Sequence, residues 1–285
     1  PRGGLATGTA HVCATVAGSG ATSAYCWGSN SKGQLGNGTA ADSNEPVAVT
    51  NSLADPMTLV YAGDAHSCAV SSAKALLCWG SNEYGQLGIG SEGDQRETFS
   101  PVDAPEEEPD VEWSFATAGY YNTCAVSGAG TCYCWGRAST SMNGNDRIVV
   151  DVLVPQPVTG TFDSPPKFLS GHGRTAFMIL ESGELYVWGY NTQGQSGLDT
   201  IAFTIGAPYP LATQVSAVAS ADSFACMISS AWDDRSQLLC WGANESGQLG
   251  IGSTASALSP RVVEASQGCR WDTVALGANA AYGTQ

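Results

Sequence analysis

A Trp-Gly pair that returns five times at nearly equal intervals constrains the fold of this chain more than any other feature. The spacings between successive tryptophans are 52, 56, 53 and 53 residues. Cys precedes the pair in four copies and Val in one; the tryptophans are Trp27, Trp79, Trp135, Trp188 and Trp241. A period of about fifty residues is typical of a propeller or another repeat architecture. The repeat therefore decides the fold before composition is considered.

A glycine-rich turn follows each Trp-Gly pair. Three copies spell Gly-Gln-Leu-Gly, beginning at Gly33, Gly85 and Gly247, whereas the copies that begin at Ser141 and Gly194 have diverged. Four repeats also carry an Asn three residues after Trp, namely Asn30, Asn82, Asn191 and Asn244. Asn side chains commonly bond to nearby backbone in turns. We expect these four to be structural.

Short extended segments surround each Trp. An apolar segment that ends near Gly comes first, a second segment follows, and the third carries Trp. After the turn, a Pro is expected to introduce a fourth segment; these are Pro46, Pro101, Pro157, Pro210 and Pro260. Short strands at this spacing, separated by Gly and Pro, indicate an all-β protein. The sequence predicts a β-propeller built from four-stranded blades of about fifty residues.

The repeat Cys-Trp-Gly-x-Asn-x-x-Gly-Gln-Leu-Gly resembles that of the regulator of chromosome condensation family, over essentially the whole chain. The resemblance implies a propeller, usually of seven blades, and by itself implies no function. We expect one propeller domain over residues 1–285. Its predicted repeats cover approximately 1–55, 56–110, 111–163, 164–213 and 214–268, with a partial sixth at 269–285. Since seven units need roughly 350 residues at this period, we expect the chain to be part of a longer one.

The cysteines fall into pairs that follow the repeat. Four repeats have one Cys in the second strand and one before Trp: Cys13 with Cys26, Cys68 with Cys78, Cys124 with Cys134, and Cys226 with Cys240. The fourth repeat is expected to have Ala176 and Val187 at those places, so both members are absent together. A covalent pair predicts this joint loss, and opposed residues on antiparallel strands are close enough for a disulfide. Zinc and buried free thiols are weaker alternatives.

Disulfides imply an oxidising compartment, so the sequence predicts an extracellular or cell-surface protein. Two cysteines remain outside the pairs, Cys132 and Cys269. They could be free, bond to each other, or bond to another chain.

Charge and motifs exclude several function classes. The formal net charge is −15, with 11 basic residues and no basic cluster, which argues against nucleic acid and anionic lipid as partners. No apolar run is long enough to cross a bilayer. No motif for a metal, a cofactor or a nucleophile appears. His11 and His66 share one repeat position, which Arg174 is expected to occupy in the fourth repeat, and we interpret both histidines as structural. The sequence predicts a protein that is not an enzyme.

Binding candidates lie where residues depart from the repeat. The long hairpin tip of the fifth repeat carries Trp232, Asp233, Asp234 and Arg235, and aromatic residues at such tips often anchor interfaces. Tyr120 and Tyr121 are a second candidate. Two N-glycosylation sequons occur, at Asn37 and Asn244, and Asn37 is the better acceptor because it replaces an apolar repeat residue rather than the repeat Asn.

We expect the chain to be an extracellular protein-binding or structural module of a surface, matrix or filament assembly. Its partners would be proteins, including other copies or the remainder of a longer chain. Two other functions stay open: a secreted enzyme inhibitor, and a regulator of a small GTPase that acts like a guanine-nucleotide exchange factor.

Overall fold

The computed structural model describes residues 4–16, 24–50, 55–145, 150–231, 236–263, 270–277 and 280–284. Trp232, Asp233, Asp234, Arg235 and Cys269 lie outside these residues. The chain divides into two compact units, one made of Pro1–Ser139 with Ile148–Val158 and the other of Thr140–Arg147 with Thr159–Gln285. No helix among the described residues is long and apolar enough to span a membrane.

The first unit holds three four-stranded antiparallel sheets, called blades 1 to 3, whose strands pair in chain order. Blade 1 consists of β1 (Leu5–Thr7), β2 (His11–Thr15), β3 (Ala24–Gly28) and β4 (Ser43–Ala48). Blade 2 consists of β5 (Met57–Ala62), β6 (His66–Ser71), β7 (Leu76–Gly80) and β8 (Arg96–Pro101). Blade 3 consists of β9 (Trp113–Ala118), β10 (Asn122–Ser127), β11 (Cys132–Gly136) and β12 (Val152–Pro157), with a 3-10 turn at Ala138–Thr140.

The second unit holds blades 4 and 5 and a smaller sheet. Blade 4 consists of β13 (Pro166–Ser170), β14 (Thr175–Leu180), β15 (Leu185–Tyr190) and β16 (Thr204–Ala212). Blade 5 consists of β17 (Val215–Ser220), β18 (Phe224–Ser229), β19 (Gln237–Gly242) and β20 (Ala257–Val262). β21 (Thr273–Gly277) pairs with β22 (Ala280–Thr284) as a two-stranded sheet. The prediction of an all-β fold with five four-stranded blades and the start of a sixth repeat is confirmed.

The two middle strands of blade 2 are buried on both faces because each face packs against a neighbouring sheet. In blade 2 every residue of β6 and β7 is buried. Side chains alternate between faces along a strand. Cys68 and Cys78 therefore share the face that packs on Trp135 of blade 3, and Trp79 lies on the opposite face, against blade 1. In the second unit blades 4 and 5 pack in the same way.

The cysteine pairs are disulfide-bonded in four blades: Cys13–Cys26, Cys68–Cys78, Cys124–Cys134 and Cys226–Cys240. In each, the two residues are directly opposed between the second and third strands. All eight of these cysteines are buried.

The expected alignment of the fourth repeat was wrong by one residue. In blade 4 the pair that occupies the disulfide position is Phe177 with Val187, whereas Ala176 lies opposite Trp188 and Thr175 opposite Gly189. Arg174 therefore precedes the second strand and does not share the position of His66. Three residues before the position of His66, where blades 1 to 3 have Gly8, Gly63 and Gly119, blade 4 has His172. Phe177 packs edge-on against Trp241, 5.8 Å between ring centroids, where other blades place a disulfide.

The repeat prolines were also placed incorrectly. They do not introduce the fourth strand but lie within it or at its end, as Pro101 and Pro157 do. The fourth strand is the edge of its sheet. A residue without a backbone N–H is tolerated at an edge because no further strand needs the donor.

Candidate protein-binding surface

A buried hydrogen bond joins the glycine-rich turn of one repeat to the tryptophan of the next. Trp79 Nε1 donates to the main-chain oxygen of Gln34 at 2.9 Å, and Trp135 Nε1 to that of Gln86 at 2.9 Å. In the second unit Trp188 and Trp241 bond in the same way to Met142 and Gln195. The turn must approach the indole closely: a Cβ on Gly88 would lie 2.6 Å from Nε1 of Trp135. We call the tryptophan of a blade, the turn that it contacts and the hydrogen bond between them the frame of that blade.

The repeat Asn fixes each turn from inside. Asn244 is fully buried; its Oδ1 accepts from the Leu249 N–H at 3.0 Å, and its Nδ2 donates to the carbonyls of Ser253 and Ala255 at 2.8 and 2.9 Å. Equivalent bonds are made by Asn30, Asn82 and Asn191. Four turns are thereby locked in one conformation.

His11 and His66 are parts of buried hydrogen-bond chains in the first unit. The single hydroxyl hydrogen of Ser67 goes to the Gln34 carbonyl at 2.9 Å, so Nε2 of His11 donates to Ser67 Oγ at 2.8 Å. His66 donates in the same way to Thr123 Oγ1 at 2.9 Å. A neutral ring at either position therefore carries its proton on Nε2.

Burial lowers the pKa of His11 to about 4. Burial, with a smaller effect from His11, lowers the pKa of His66 to about 3. Such histidines are structural groups and are poorly suited to proton transfer near neutral pH.

Two hydrogen-bonded residues at one end of each blade differ in size and charge between blades, although the repeat around them is the same. The residue before the second strand accepts a backbone hydrogen bond from the residue after Trp-Gly, at 2.8 to 3.1 Å in all five blades. We call these two residues the end pair. In blades 1, 2 and 5 the end pair is small: Ala10 with Ser29, Ala65 with Ser81, and Ser223 with Ala243. In blades 3 and 4 it is an Arg with a Tyr.

The blade 3 end pair is Tyr121 with Arg137. The Arg137 guanidinium lies 5.0 Å from the centre of the Tyr121 ring and 4.4 Å from that of Tyr84, which comes from the turn of blade 2. Tyr121 also meets Tyr84 and Tyr120 edge-on, at 4.8 and 4.5 Å between centroids. Asn122 Nδ2 donates to the Arg137 carbonyl at 3.0 Å and holds its backbone. The result is a half-exposed cluster of three tyrosines around one arginine.

The pKa of the Tyr84 hydroxyl is affected by an acidic neighbour. A hydrogen bond with Glu83, with a smaller effect of burial, raises the pKa of Tyr84 above its ordinary value, although Arg137 acts in the opposite direction. The phenol therefore stays neutral and able to donate a hydrogen bond at physiological pH.

The blade 4 end pair has the same chemistry with the two residue types exchanged. Arg174 precedes the second strand, and Tyr190 follows Trp-Gly. The guanidinium lies 5.4 Å from the Tyr190 ring centre, and Phe203 meets that ring edge-on at 5.4 Å. Thr175 Oγ1 donates to the Tyr190 carbonyl at 2.7 Å, as Asn122 does for Arg137 in blade 3. Phe203 is 65% exposed, so an aromatic surface faces solvent.

These clusters have the composition of protein-binding sites. Tyr and Arg are enriched among the residues that dominate interface energies, and an aromatic ring with a polar tip suits a half-exposed position. Stacking on tyrosine also restricts the arginine before a partner arrives. The clusters offer flat rings, phenol hydroxyls and a guanidinium, but no nucleophile–base pair.

Sequence reasoning identified only part of these surfaces. Tyr120 and Tyr121 are in the blade 3 cluster, whereas Tyr84, Arg137 and the blade 4 end pair were missed. The signal was present in the repeat itself, since Arg137 and Tyr190 follow Trp-Gly where three other copies have Ser or Ala. The candidates at the fifth hairpin tip, Trp232 to Arg235, remain a prediction outside the described residues.

The remaining cysteine and acidic residues offer no reactive site in the described part of the chain. Cys132 is buried and not disulfide-bonded, and burial raises the pKa of its thiol to about 12. A neutral, enclosed thiol is inert. Among the described residues no group of three or more His, Cys, Asp or Glu is placed to hold a metal ion.

The repeat of this chain matches that of a known protein family. Residues 23–70, 75–126 and 236–281 match the regulator of chromosome condensation (RCC1) repeat, and residues 58–86 match a second description of it. The ultraviolet-B receptor UVR8 of Arabidopsis thaliana is 28% identical over 84% of this chain and 53% of its own length, so the chain spans about half of that relative.

Solved structures agree on the fold. Human WBSCR16 superimposes with a TM-score of 0.81 at 18% identity, over 96% of this chain and 71% of that one. Yeast RCC1 (Prp20), solved with Kap60 bound, gives 0.59 at 15% identity, over 97% of this chain and 78% of that one. The chain therefore belongs to the RCC1 repeat family, and its five four-stranded sheets are blades of a β-propeller.

Proposed function

We propose that this chain is a non-enzymatic protein-binding module of an extracellular or cell-surface assembly, and that the Arg–Tyr end pairs of blades 3 and 4 contact its partner. The observation that carries the proposal is the contrast among end pairs. Three blades keep small residues there, and two display an arginine stacked on tyrosine, half-exposed. The blade frame does not need these large residues, because it forms equally well with Ala and Ser.

The cysteines support the proposed compartment. Four buried disulfides in one chain are typical of oxidising environments, since cytosolic reductants keep thiols reduced. Family membership is consistent with protein binding, because yeast RCC1 (Prp20) forms a complex with Kap60. The formal charge of −15 favours encounter with a basic partner.

The test uses variants that give blades 3 and 4 the end pairs of other blades. Tyr121→Ala with Arg137→Ser reproduces the blade 2 pair, and Arg174→Ala with Tyr190→Ser does the same in blade 4. The oxidised full chain and each variant are immobilised, and proteins retained from the extracellular fluid of the source organism are quantified by mass spectrometry. Direct titration with the purified partner follows. We expect a loss of affinity of tenfold or more for at least one variant.

The control is Tyr209→Ala, which removes a 55% exposed aromatic ring outside both end pairs. The control should bind as the unchanged chain does. Equal binding by the unchanged chain and both end-pair variants would exclude the end pairs as the contact surface. A chain that is fully reduced when isolated from its source would contradict the proposed compartment.

A further inference from the structure

The two N-glycosylation sequons of this chain have opposite surroundings. Asn37-Gly38-Thr39 follows the glycine-rich turn of blade 1, and Asn244-Glu245-Ser246 opens that of blade 5. A glycan is attached through the Asn side-chain nitrogen, so the partners and accessibility of Nδ2 decide whether a folded chain can carry one.

Both hydrogens of the Asn244 side-chain nitrogen are engaged in hydrogen bonds. The side chain is 0% exposed, and its two amide hydrogens go to the carbonyls of Ser253 and Ala255. A sugar on Nδ2 would replace one of these hydrogens and would need space inside a closed turn. A buried carbonyl without a partner destabilises the fold even before any steric clash is counted. A glycan at Asn244 is incompatible with the folded blade.

At Asn37 only the oxygen of the side chain is engaged. Oδ1 accepts from the Thr39 hydroxyl at 2.9 Å, from the Thr39 N–H at 3.2 Å and from Asn30 Nδ2 at 3.3 Å. Within the described part of the chain, Nδ2 of Asn37 donates no hydrogen bond, and the residue is only partly buried. Thr39 is exposed, and a Cβ on Gly38 would meet no atom closer than 3.9 Å. The acceptor nitrogen and the hydroxyl of the sequon are both reachable from solvent.

The repeat does not require Asn at this place. The equivalent residues are apolar in three other blades, where Ile89, Leu198 and Ile251 pack against hydrophobic clusters. Blade 1 has an Asn instead, followed by Gly38 and then by Thr39, the hydroxyl residue that a sequon needs. Asn30 holds the turn through the Leu35 N–H and the carbonyls of Thr39 and Ala41, and its bond to Asn37 uses the oxygen and not the acceptor nitrogen.

We propose that Asn37 carries an N-linked glycan and that Asn244 does not. In the transfer, Nδ2 bonds to the anomeric carbon of a lipid-linked oligosaccharide diphosphate. The bond from that carbon to the diphosphate breaks, and the amide proton leaves with the lipid diphosphate. The site rests on the proposed function only for its compartment, since this transfer occurs in a secretory pathway.

The experiment expresses the full chain behind a secretion signal in a eukaryotic host and measures its intact mass before and after peptide N-glycosidase F. Three chains are compared: the unchanged chain, Thr39→Ala and Ser246→Ala. Both variants remove a sequon hydroxyl and leave Asn37 and Asn244 in place. Secreted and retained material are both analysed, because transfer occurs as the chain enters the pathway. A peptide map locates the Asp that the enzyme leaves at each glycosylated Asn.

We expect one glycan on the unchanged chain, its loss in Thr39→Ala and its retention in Ser246→Ala. An unmodified unchanged chain, or a glycan that disappears in Ser246→Ala, would overturn the assignment. If the native chain lacks the glycan that the secreted recombinant chain carries, the proposed compartment is wrong and the Asn37 site stands.

Discussion

Blades 2 and 4 have the same backbone frame but differ at three places that can be matched position by position. Blade 2 has Cys68 with Cys78, then His66, then Ala65 with Ser81; blade 4 has Phe177 with Val187, then Thr175, then Arg174 with Tyr190. In both blades the tryptophan is fully buried and bonded to the preceding turn. The frame therefore forms whichever residues occupy these three places. Substitutions there can change the free energy of unfolding, its pH dependence or the binding of a partner.

The first and largest effect tests whether the frame is the same in both blades. We expect Trp79→Ala and Trp188→Ala each to lower the free energy of unfolding by about 3–5 kcal/mol, because each removes a large buried side chain and orphans a carbonyl. Urea denaturation followed by far-UV circular dichroism measures the loss without depending on indole fluorescence. The two values should agree within about 1 kcal/mol, although only blade 2 has a disulfide.

Trp27 provides the control for that comparison. It is half-exposed, so Trp27→Ala should cost clearly less than either substitution. A cost for Trp188→Ala as small as that for Trp27→Ala would show that blade 4 does not depend on the frame.

The second effect separates the blades by pH. In the folded chain the pKa of His66 is about 3, against about 6.5 unfolded, so between these values the unfolded chain binds more protons. The contribution of neutral His66 to the free energy of unfolding is therefore fully present above pH 6.5 and is lost as the pH falls below that value. By pH 4.5 the loss due to His66 should reach about 2–3 kcal/mol. Thr175 in blade 4 has no such dependence.

His66→Asn checks this effect, since Asn122 occupies the same position in blade 3. The difference in unfolding free energy between the unchanged chain and the variant is measured from pH 7.5 to 4.5. It should shift in favour of the variant as the pH falls. Parallel curves would mean that His66 is charged or accessible in the folded chain.

The frame could be predicted from sequence because it depends on local, repeated signals. Trp-Gly spacing, the turn glycines and the paired cysteines recur in nearly every copy, so each copy supports the others. The predicted register of the second strand of blade 4 was wrong by one residue, although Phe177 and Val187 keep the spacing to Trp188 that Cys68 and Cys78 keep to Trp79. A cysteine pair is recognisable in sequence, whereas an apolar pair that replaces it is not.

The candidate surface was harder to predict because it joins residues from different repeats. Tyr84 and Arg137 are 53 positions apart in sequence, and the turn of blade 2 brings them to 4.4 Å. Neither residue belongs to a motif. Only the comparison of equivalent positions across blades distinguishes them from ordinary surface residues, and that comparison needs the correct register.

The third effect exchanges the disulfide of blade 2 for an apolar pair. We expect Cys68→Ala with Cys78→Val to fold, as blade 4 does without cysteines, but to lose about 2 kcal/mol because a short loop of the unfolded chain is no longer closed. Thermal and urea unfolding under non-reducing conditions measure the loss. A variant that cannot fold would show that blade 2, unlike blade 4, requires its covalent bond.

The last and smallest effect concerns the end pairs themselves. A double-mutant cycle on Tyr121 and Arg137, with Ala at each, should give a coupling of about 0.5–1 kcal/mol, typical of a half-exposed cation–π contact. The same cycle on Arg174 and Tyr190 should give a similar value, since exchanging the two residue types preserves the contact. Ala65 and Ser81 in blade 2 show that the frame does not need this energy. A coupling near zero in both cycles would mean that the arginines are held by other neighbours and are not preorganised by tyrosine. Equal, favourable couplings would mean that the same Arg–Tyr contact forms in both blades although the two residue types are exchanged. The fold alone does not require such a contact in either blade.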